Sequence, residues 1–156
     1  MTSGDWRPDF ERARRIRFSD CDPAGIVFYP QYFVMFNGLV EDWFTEGLGI
    51  PFEQLITTRR TGLPTAHLSV DFRAPSAFGE TVRLGLSVQR LGGKSIELQV
   101  RCLGPDGAVR ITMRQVLVTT SLATHQAIAI PDDIRAAIGA SCGQAGQGTG
   151  ASQGAC

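Results

Sequence analysis

The sequence has no net charge, no long hydrophobic run and no paired cysteine motif, and each absence excludes a class of protein. Fifteen basic residues balance fifteen acidic ones, so the positive surface of a dedicated nucleic-acid-binding protein is missing. No apolar stretch approaches the roughly eighteen residues that a membrane-spanning helix needs. No charged and then apolar leader opens the chain, so we expect neither a membrane span nor a secretory signal, and a cytoplasmic location.

Cysteine and histidine are sparse and scattered. The four cysteines stand far apart, at Cys21, Cys102, Cys142 and Cys156. None forms a Cys-x-x-Cys pair or lies near a pair of histidines, so we expect no metal centre and no disulfide framework. Cys21 stands between Asp20 and Asp22, whose charges raise the pKa of a thiol, and this argues against a nucleophilic cysteine.

The length of 156 residues and the hydrophobic content of 43% fit one globular domain, which we place at residues 1–140. Residues 141–156 are rich in Gly, Ala, Ser and Gln and predict a disordered tail. Two motifs in this tail, a G-x-S-x-G match at 150–154 and a loose dinucleotide fingerprint at 146–151, lack the preceding strand and following helix that such motifs require. We interpret both as coincidences.

The most regular pattern begins at Pro30, where apolar residues recur every three or four positions. They are Tyr32, Phe33, Phe36, Leu39, Val40, Trp43 and Phe44. This spacing predicts an amphipathic helix that ends near Gly47 and Gly49. So much aromatic surface on one stripe indicates a helix wrapped by a sheet.

Alternation with a period of two follows a second short helix predicted over 51–60. It predicts strands over 66–73, 82–88, 96–102 and 109–113, with tight turns at Gly92-Gly93 and Pro105-Asp106-Gly107. Connections this short require antiparallel neighbours. The predicted fold class is α+β, with a curved antiparallel sheet around one long helix.

The segment before the helix reads Asp-Cys-Asp-Pro-Ala-Gly-Ile-Val-Phe-Tyr-Pro from Asp20 to Pro30. Strand-like alternation at 16–19 predicts a strand that ends where Pro23 and Gly25 break the pattern. Pro30 suits the first helical turn, because it has no N–H to leave unpaired. The segment therefore places carboxylates directly before a helix N-terminus.

One strand, a long aromatic helix and a run of antiparallel strands is the order of the hotdog fold, and the 20–30 segment resembles the 4-hydroxybenzoyl-CoA thioesterase family. The resemblance covers roughly residues 15–121. It implies that Asp22 is the catalytic carboxylate and that the backbone N–H of Tyr29 polarises the thioester carbonyl, with Gly25 completing the motif. It also implies hydrolysis of an acyl-CoA to the free acid and CoA without a metal or an organic cofactor.

Thioester hydrolysis must stabilise an oxyanion, and a helix N-terminus offers free N–H groups and a positive dipole end. Asp22 can act as a nucleophile that forms a mixed anhydride or as a general base on water, and the sequence leaves both routes open. Asp20 either shares a face with Asp22 or bonds local backbone as a turn residue. We expect the second role.

Substrate contacts follow from the same resemblance. Phe28, Phe33 and the helix residue Asn37 would line the acyl pocket, and the prototype enzyme has Trp, His and Asp at these three positions. Benzoyl-like, aminobenzoyl-like and short or medium fatty acyl groups all stay open. Lys94 and Ser95, in a glycine-flanked turn, either contact the CoA phosphates or form an ordinary hairpin tip, and the basic pair Arg59 and Arg60 is equally ambiguous.

Two pairs of ionisable residues allow other interpretations. Glu41 and Asp42 fit the polar side of the helix, although related thioesterases with a helical glutamate keep a catalytic role open for them. His67 and His125 are isolated and favour surface positions.

A non-catalytic acyl-CoA-binding module and a hotdog hydratase or dehydratase are the rival functions. Because hotdog domains expose a sheet edge and a helix end that pairing covers, the resemblance implies a homodimer or homotetramer with active sites at the interface.

Overall fold

Seven strands and three α-helices make up the part of the chain that the computed structural model describes, residues 5–144. The strands are β1 Phe10–Arg15, β2 Thr61–Gly62, β3 Thr65–Phe72, β4 Thr81–Leu91, β5 Ser95–Leu103, β6 Val109–Val118 and β7 Thr120–Ser121. The helices are α1 Pro30–Asp42, α2 Phe52–Thr57 and α3 Asp132–Gln144. None of these helices is long and apolar enough to cross a membrane.

Five strands form one antiparallel sheet in the order β1-β4-β5-β6-β3, and β2 pairs with β7 in a short separate ribbon. Both predicted tight turns join antiparallel neighbours, β4 to β5 and β5 to β6. β3 pairs only with β6 and leaves its other edge open within the described chain. The predicted α+β fold, a curved antiparallel sheet around one long helix, is confirmed.

Helix α1 packs its aromatic stripe against the inner face of the sheet. Tyr32 and Phe36 are buried, and Trp43 and Phe44 are fully buried in a π-helical turn over Trp43–Gly47 that continues α1. The inner positions of β4, β5 and β6 supply the opposing surface, with Leu84, Leu86, Leu98, Val100, Ile111 and Met113. The aromatic residues of the helix are therefore core, as the spacing predicts.

The strand predicted over 16–19 is wrong. β1 lies earlier, at Phe10–Arg15, and Phe18–Asp20 is a 3₁₀ turn. The cause is the buried Asp20 carboxylate, whose Oδ2 accepts the Arg17 N–H at 2.8 Å and whose Oδ1 accepts the Arg14 guanidinium at 2.9 Å. A local side-chain acceptor of this kind competes with the strand ladder for backbone N–H groups.

Helix α3 is absent from the sequence expectations and runs past the predicted domain boundary at residue 140 to Gln144. Its Ile134 and Ile138 are fully buried, and Arg59 donates to both carboxylate oxygens of Asp133 at 2.7 and 2.8 Å. This bidentate contact holds the pKa of Asp133 below its usual value and fastens α3 near the end of α2. The rest of the predicted tail, with both of its motifs, lies outside the described residues, and the boundary itself stays a prediction.

Candidate active site

The loop that carries Asp22 folds back on itself immediately before α1. The Asp22 N–H donates to the Ile26 carbonyl at 3.2 Å, and the Gly25 N–H donates to the Asp22 carbonyl at 3.0 Å. Gly25 has φ +75°, a conformation that glycine adopts without strain. The Phe28 N–H then donates to the Asp20 carbonyl at 2.9 Å, so backbone bonds hold the Asp22 loop against the residues that lead into the helix.

The Asp22 carboxylate is half-buried and only partly engaged. Its Oδ1 accepts the Ala24 N–H at 2.8 Å, which fixes the side chain in an Asx turn. Its Oδ2 receives no hydrogen bond, and the carboxylate makes no ion pair, within residues 5–144. An oriented carboxylate with one free oxygen is what a nucleophile or a general base requires.

The backbone N–H of Tyr29 is a free donor at the positive end of α1. Tyr29 is the N-cap, with φ −51° and ψ −36°, and Pro30 follows it without an N–H. The next N–H groups are used, since Gln31 donates to the Phe28 carbonyl at 2.8 Å and Tyr32 to the Tyr29 carbonyl at 3.2 Å. The Tyr29 N–H has no acceptor in the described part of the chain, and a free N–H at this end of a helix stabilises an oxyanion.

A cavity of about 380 Å³ lies beside Tyr29. It is lined by Ile26, Val27, Tyr29, Tyr32, Phe72, Arg73, Ala74 and Pro75. The Tyr29 and Phe72 rings meet edge to face with centroids 6.1 Å apart, and Tyr32 and Phe72 are 6.3 Å apart. The wall is therefore aromatic and apolar, with Arg73 as its one charged member.

The predicted pocket residues Phe28, Phe33 and Asn37 do not meet at this cavity. Phe28 is 46% exposed and touches the Tyr29 ring, with centroids 5.6 Å apart. Phe33 is half-buried and packs against the core. Asn37 is exposed and borders a second cavity of about 350 Å³ between α1, α2 and β6. Their contacts with substrate stay predictions.

The second cavity is lined by residues that lie far apart in the sequence. Its lining is Asn37, Val40, Glu41, Phe52, Ile56, Leu63, Gln115 and Leu117. Glu41 thus borders a cavity, whereas the helical pattern favours a polar surface position for it and the resemblance leaves a catalytic role open. Gln115 and Arg73 could not be predicted as cavity residues, because a single polar residue in or after a strand belongs to no recognisable motif.

Lys94 and Ser95 lie at the opposite end of the sheet from Asp22. The β4–β5 turn that contains them follows the Leu91–Ile96 pair, whereas the Asp22 loop borders the other end of β4, where Val27 donates to the Ser76 carbonyl at 3.0 Å. Within one chain they cannot contact a substrate held at Asp22. A role in CoA binding therefore requires a second subunit and stays a prediction.

Asp20 and Cys21, which precede Asp22, behave as the sequence predicts. Asp20 bonds the Arg17 N–H, which confirms the expected turn role. Burial, followed by the charges of Asp20 and Asp22, raises the pKa of the Cys21 thiol, in the direction that the sequence predicts.

His67 and His125 are both exposed, as their isolated positions favour.

Comparison with known proteins places this geometry in a family. Residues 16–138 match the model of the thioesterase-like superfamily. A 1,4-dihydroxy-2-naphthoyl-CoA hydrolase of Nostoc punctiforme is 27% identical over 122 residues, which cover 76% of this chain and 74% of the relative. A 4-hydroxybenzoyl-CoA thioesterase of Pseudomonas sp. strain CBS-3 is 27% identical over 104 residues, covering 65% of this chain and 74% of the relative.

Comparison with solved structures indicates the same family as comparison with sequences. A gentisyl-coenzyme A thioesterase superposes with a TM-score of 0.74 and 30% identity, covering 82% of this chain and 98% of that one. The hotdog fold, the resemblance carried by the 20–30 segment and the expectation of a thioester hydrolase are confirmed. The chain belongs to the thioesterase-like superfamily.

Proposed function

We propose that the protein hydrolyses aromatic acyl-CoA thioesters to the free acid and CoA. The observation that carries this proposal is that one short segment supplies both a carboxylate with one free oxygen, on Asp22, and an unused N–H at the start of α1, on Tyr29. The aromatic wall of the adjacent cavity suits a ring-bearing acyl group. The relatives named for naphthoyl-, hydroxybenzoyl- and gentisyl-CoA substrates support the same substrate class.

In the proposed reaction, the thioester carbonyl oxygen accepts a hydrogen bond from the Tyr29 N–H, and the dipole of α1 stabilises the negative charge that develops there. In one route Asp22 attacks the carbonyl carbon, the C–S bond breaks, CoA leaves as a thiolate, and water hydrolyses the mixed anhydride. In the other route Asp22 takes a proton from a water that attacks the same carbon. Both routes give the acid and CoA.

We propose a second copy of the chain as the partner of the open β3 edge. Leu68 and Phe72, on the face of β3 toward α1, are 42% and 52% exposed, and Tyr29 beside them is 59% exposed. An unpaired strand edge with apolar neighbours is a surface that proteins cover. A two-fold axis at this edge would join two β3 strands in antiparallel fashion into one continuous sheet.

This pairing would complete the active site. Antiparallel pairing of β3 brings the Thr65 end of one strand beside Phe72 of the other. Near that end lie Gln115, which bonds Thr65, and the Lys94 turn, whose carbonyl accepts the Thr119 N–H at 2.9 Å. The second cavity and Lys94 of the partner subunit would then face Asp22 and Tyr29. Further pairing of dimers into a tetramer is compatible with this arrangement.

The oligomer proposal is tested by light scattering after size-exclusion chromatography. We expect a mass of two or four 16.9 kDa chains for the natural protein. Leu68→Arg puts a charge into the covered edge, so it should give monomers and lose turnover. Ser69→Arg adds the same charge to the opposite face of β3 and should keep both the dimer and its activity. A natural protein that runs as a monomer with full activity would contradict the proposal.

The substrate class is tested by thiol release from benzoyl-, 4-hydroxybenzoyl-, 1,4-dihydroxy-2-naphthoyl- and hexanoyl-CoA. We expect kcat/KM for the best aromatic thioester to exceed that for hexanoyl-CoA by about tenfold or more, since a few ring contacts are worth ~1–3 kcal/mol. Faster hydrolysis of hexanoyl-CoA would overturn the aromatic assignment. Binding of all four thioesters without hydrolysis would instead support a non-catalytic acyl-CoA-binding module.

A further inference from the structure

We infer that Gln115 selects aromatic acyl groups that carry a hydroxyl, an inference that rests on the proposed function. Gln115 lies on the inner face of β6, between the buried apolar residues Met113 and Leu117, and is itself only 4% exposed. Such positions are normally apolar, because burying an amide is unfavourable unless its hydrogen bonds are made. A glutamine here therefore calls for a bonding partner.

One of the two polar atoms of the Gln115 amide has a hydrogen-bond partner within the protein. The Nε2 donates to the Thr65 Oγ1 at 2.9 Å. The Oε1 is buried and receives no hydrogen bond in the described part of the chain. An unpaired buried acceptor destabilises the folded protein, and a ligand that donates a hydrogen bond to it would recover this energy.

The cavity that Gln115 borders supplies the rest of the recognition. Its walls are mostly apolar and include Phe52, which suits an aromatic ring. Its remaining polar members are Asn37 and Glu41, and Glu41 makes no ion pair within residues 5–144. Carboxylate and amide oxygens accept hydrogen bonds from a hydroxyl, whereas the negative charge of Glu41 disfavours a ring that carries a carboxylate.

The proposed two-fold pairing of β3 would place this cavity opposite the reacting thioester. With the carbonyl held by Tyr29 of one subunit, the acyl ring would lie against the aromatic wall beside Tyr29, where the two subunits meet. Its hydroxyl would reach the second cavity of the other subunit and donate to the Oε1 of the partner's Gln115 once that shielded amide turns toward the cavity. Gln115 is then a specificity residue: it touches the ring substituent and takes no part in bond breaking.

The test compares 4-hydroxybenzoyl-CoA with benzoyl-CoA in Gln115→Met, a variant of similar volume that lacks the amide oxygen. We expect the ratio of kcat/KM for the hydroxylated over the unsubstituted substrate to fall by about tenfold or more, with benzoyl-CoA hydrolysis kept or improved. An unchanged ratio, or an equal loss on both substrates, would overturn the inference. Gln115→Leu serves the same comparison if the methionine variant does not fold.

Gln99→Met is the matched control, because Gln99 is on the outer face of the neighbouring strand β5, away from the cavity. It should leave the substrate ratio unchanged. Thermal unfolding adds a readout independent of turnover: removing a buried unpaired amide oxygen should leave the Tm of Gln115→Met equal to or above that of the natural protein.

Binding separates this inference from the proposed function. In an Asp22→Asn background, calorimetry should show tighter binding of 4-hydroxybenzoyl-CoA than of benzoyl-CoA, and adding Gln115→Met should remove the difference. If the natural protein hydrolyses no thioester, the proposed function fails and this binding difference alone decides the role of Gln115. Equal binding of both thioesters before Gln115 is changed would overturn the inference.

Discussion

Replacing Asp22 by asparagine should lower kcat for the best acyl-CoA by about 10²–10⁴-fold, the range typical of a lost catalytic acid or base. The amide oxygen of asparagine can still accept the Ala24 N–H that Oδ1 accepts at 2.8 Å, so the loop should keep its shape. The substitution therefore removes the charge and nucleophilicity of the free oxygen with little other change. Thiol release measures kcat, and thermal unfolding checks that the Tm is retained.

Asp106→Asn is the control for this result. The Oδ1 of Asp106 accepts the Ala108 N–H at 3.0 Å, an Asx turn of the same form, at the β5–β6 turn. Turnover should stay within about twofold of the natural protein, because surface substitutions away from a site have small effects. Normal hydrolysis by Asp22→Asn would contradict the assignment. If Glu41→Gln carried the loss instead, the helical glutamate would be the catalytic group.

Replacing Tyr29 by proline should lower kcat by about 10²–10³-fold, because proline has no N–H and one oxyanion donor is typically worth this much. The fold should tolerate the change, since φ of Tyr29 is −51°, close to the value that proline imposes, and its N–H bonds no protein acceptor. Thiol release again measures the effect, with circular dichroism to confirm that the helix content is unchanged.

Tyr29→Ala separates the backbone from the side chain. Alanine keeps the N–H and loses the ring that contacts Phe28 and Phe72. We expect this variant to raise KM by a few fold and to keep most of kcat. Equal activity of the proline and alanine variants would show that the Tyr29 N–H does not stabilise the transition state.

The sequence predicts those parts of the molecule that local interactions determine. The aromatic spacing of α1 and the two tight turns depend on residues within a few positions of each other. Asp22, Gly25 and Tyr29 likewise fall within one short segment, so their proximity could be inferred before the structure. The strand mispredicted at 16–19 shows the limit of such patterns, since the buried Asp20–Arg14 contact decides the local backbone there.

Features that depend on contacts between residues far apart in the sequence could not be predicted. No local pattern places β3 beside β6 at the edge of the sheet, and this pairing puts Phe72 and Arg73 next to Tyr29. The same topology sends Lys94 to the far end of the sheet. Helix α3 was missed because its apolar residues are few, and the Arg59–Asp133 contact joins positions 74 apart in sequence.

The Asp22 loop obtains its shape from main-chain hydrogen bonds, the Asx turn of Asp22 and the positive φ of Gly25. The Asp22–Ile26 and Gly25–Asp22 backbone hydrogen bonds and the positive φ of Gly25 fix the path of the chain between the acid and the helix. Adding or deleting one residue there would change the position of the Asp22 carboxylate relative to the Tyr29 N–H, whereas exchanging Ala24 for another residue with a backbone N–H would not. Substitutions in the cavity walls could therefore change which acyl group fits without displacing the acid, whereas a loop one residue longer or shorter would displace it.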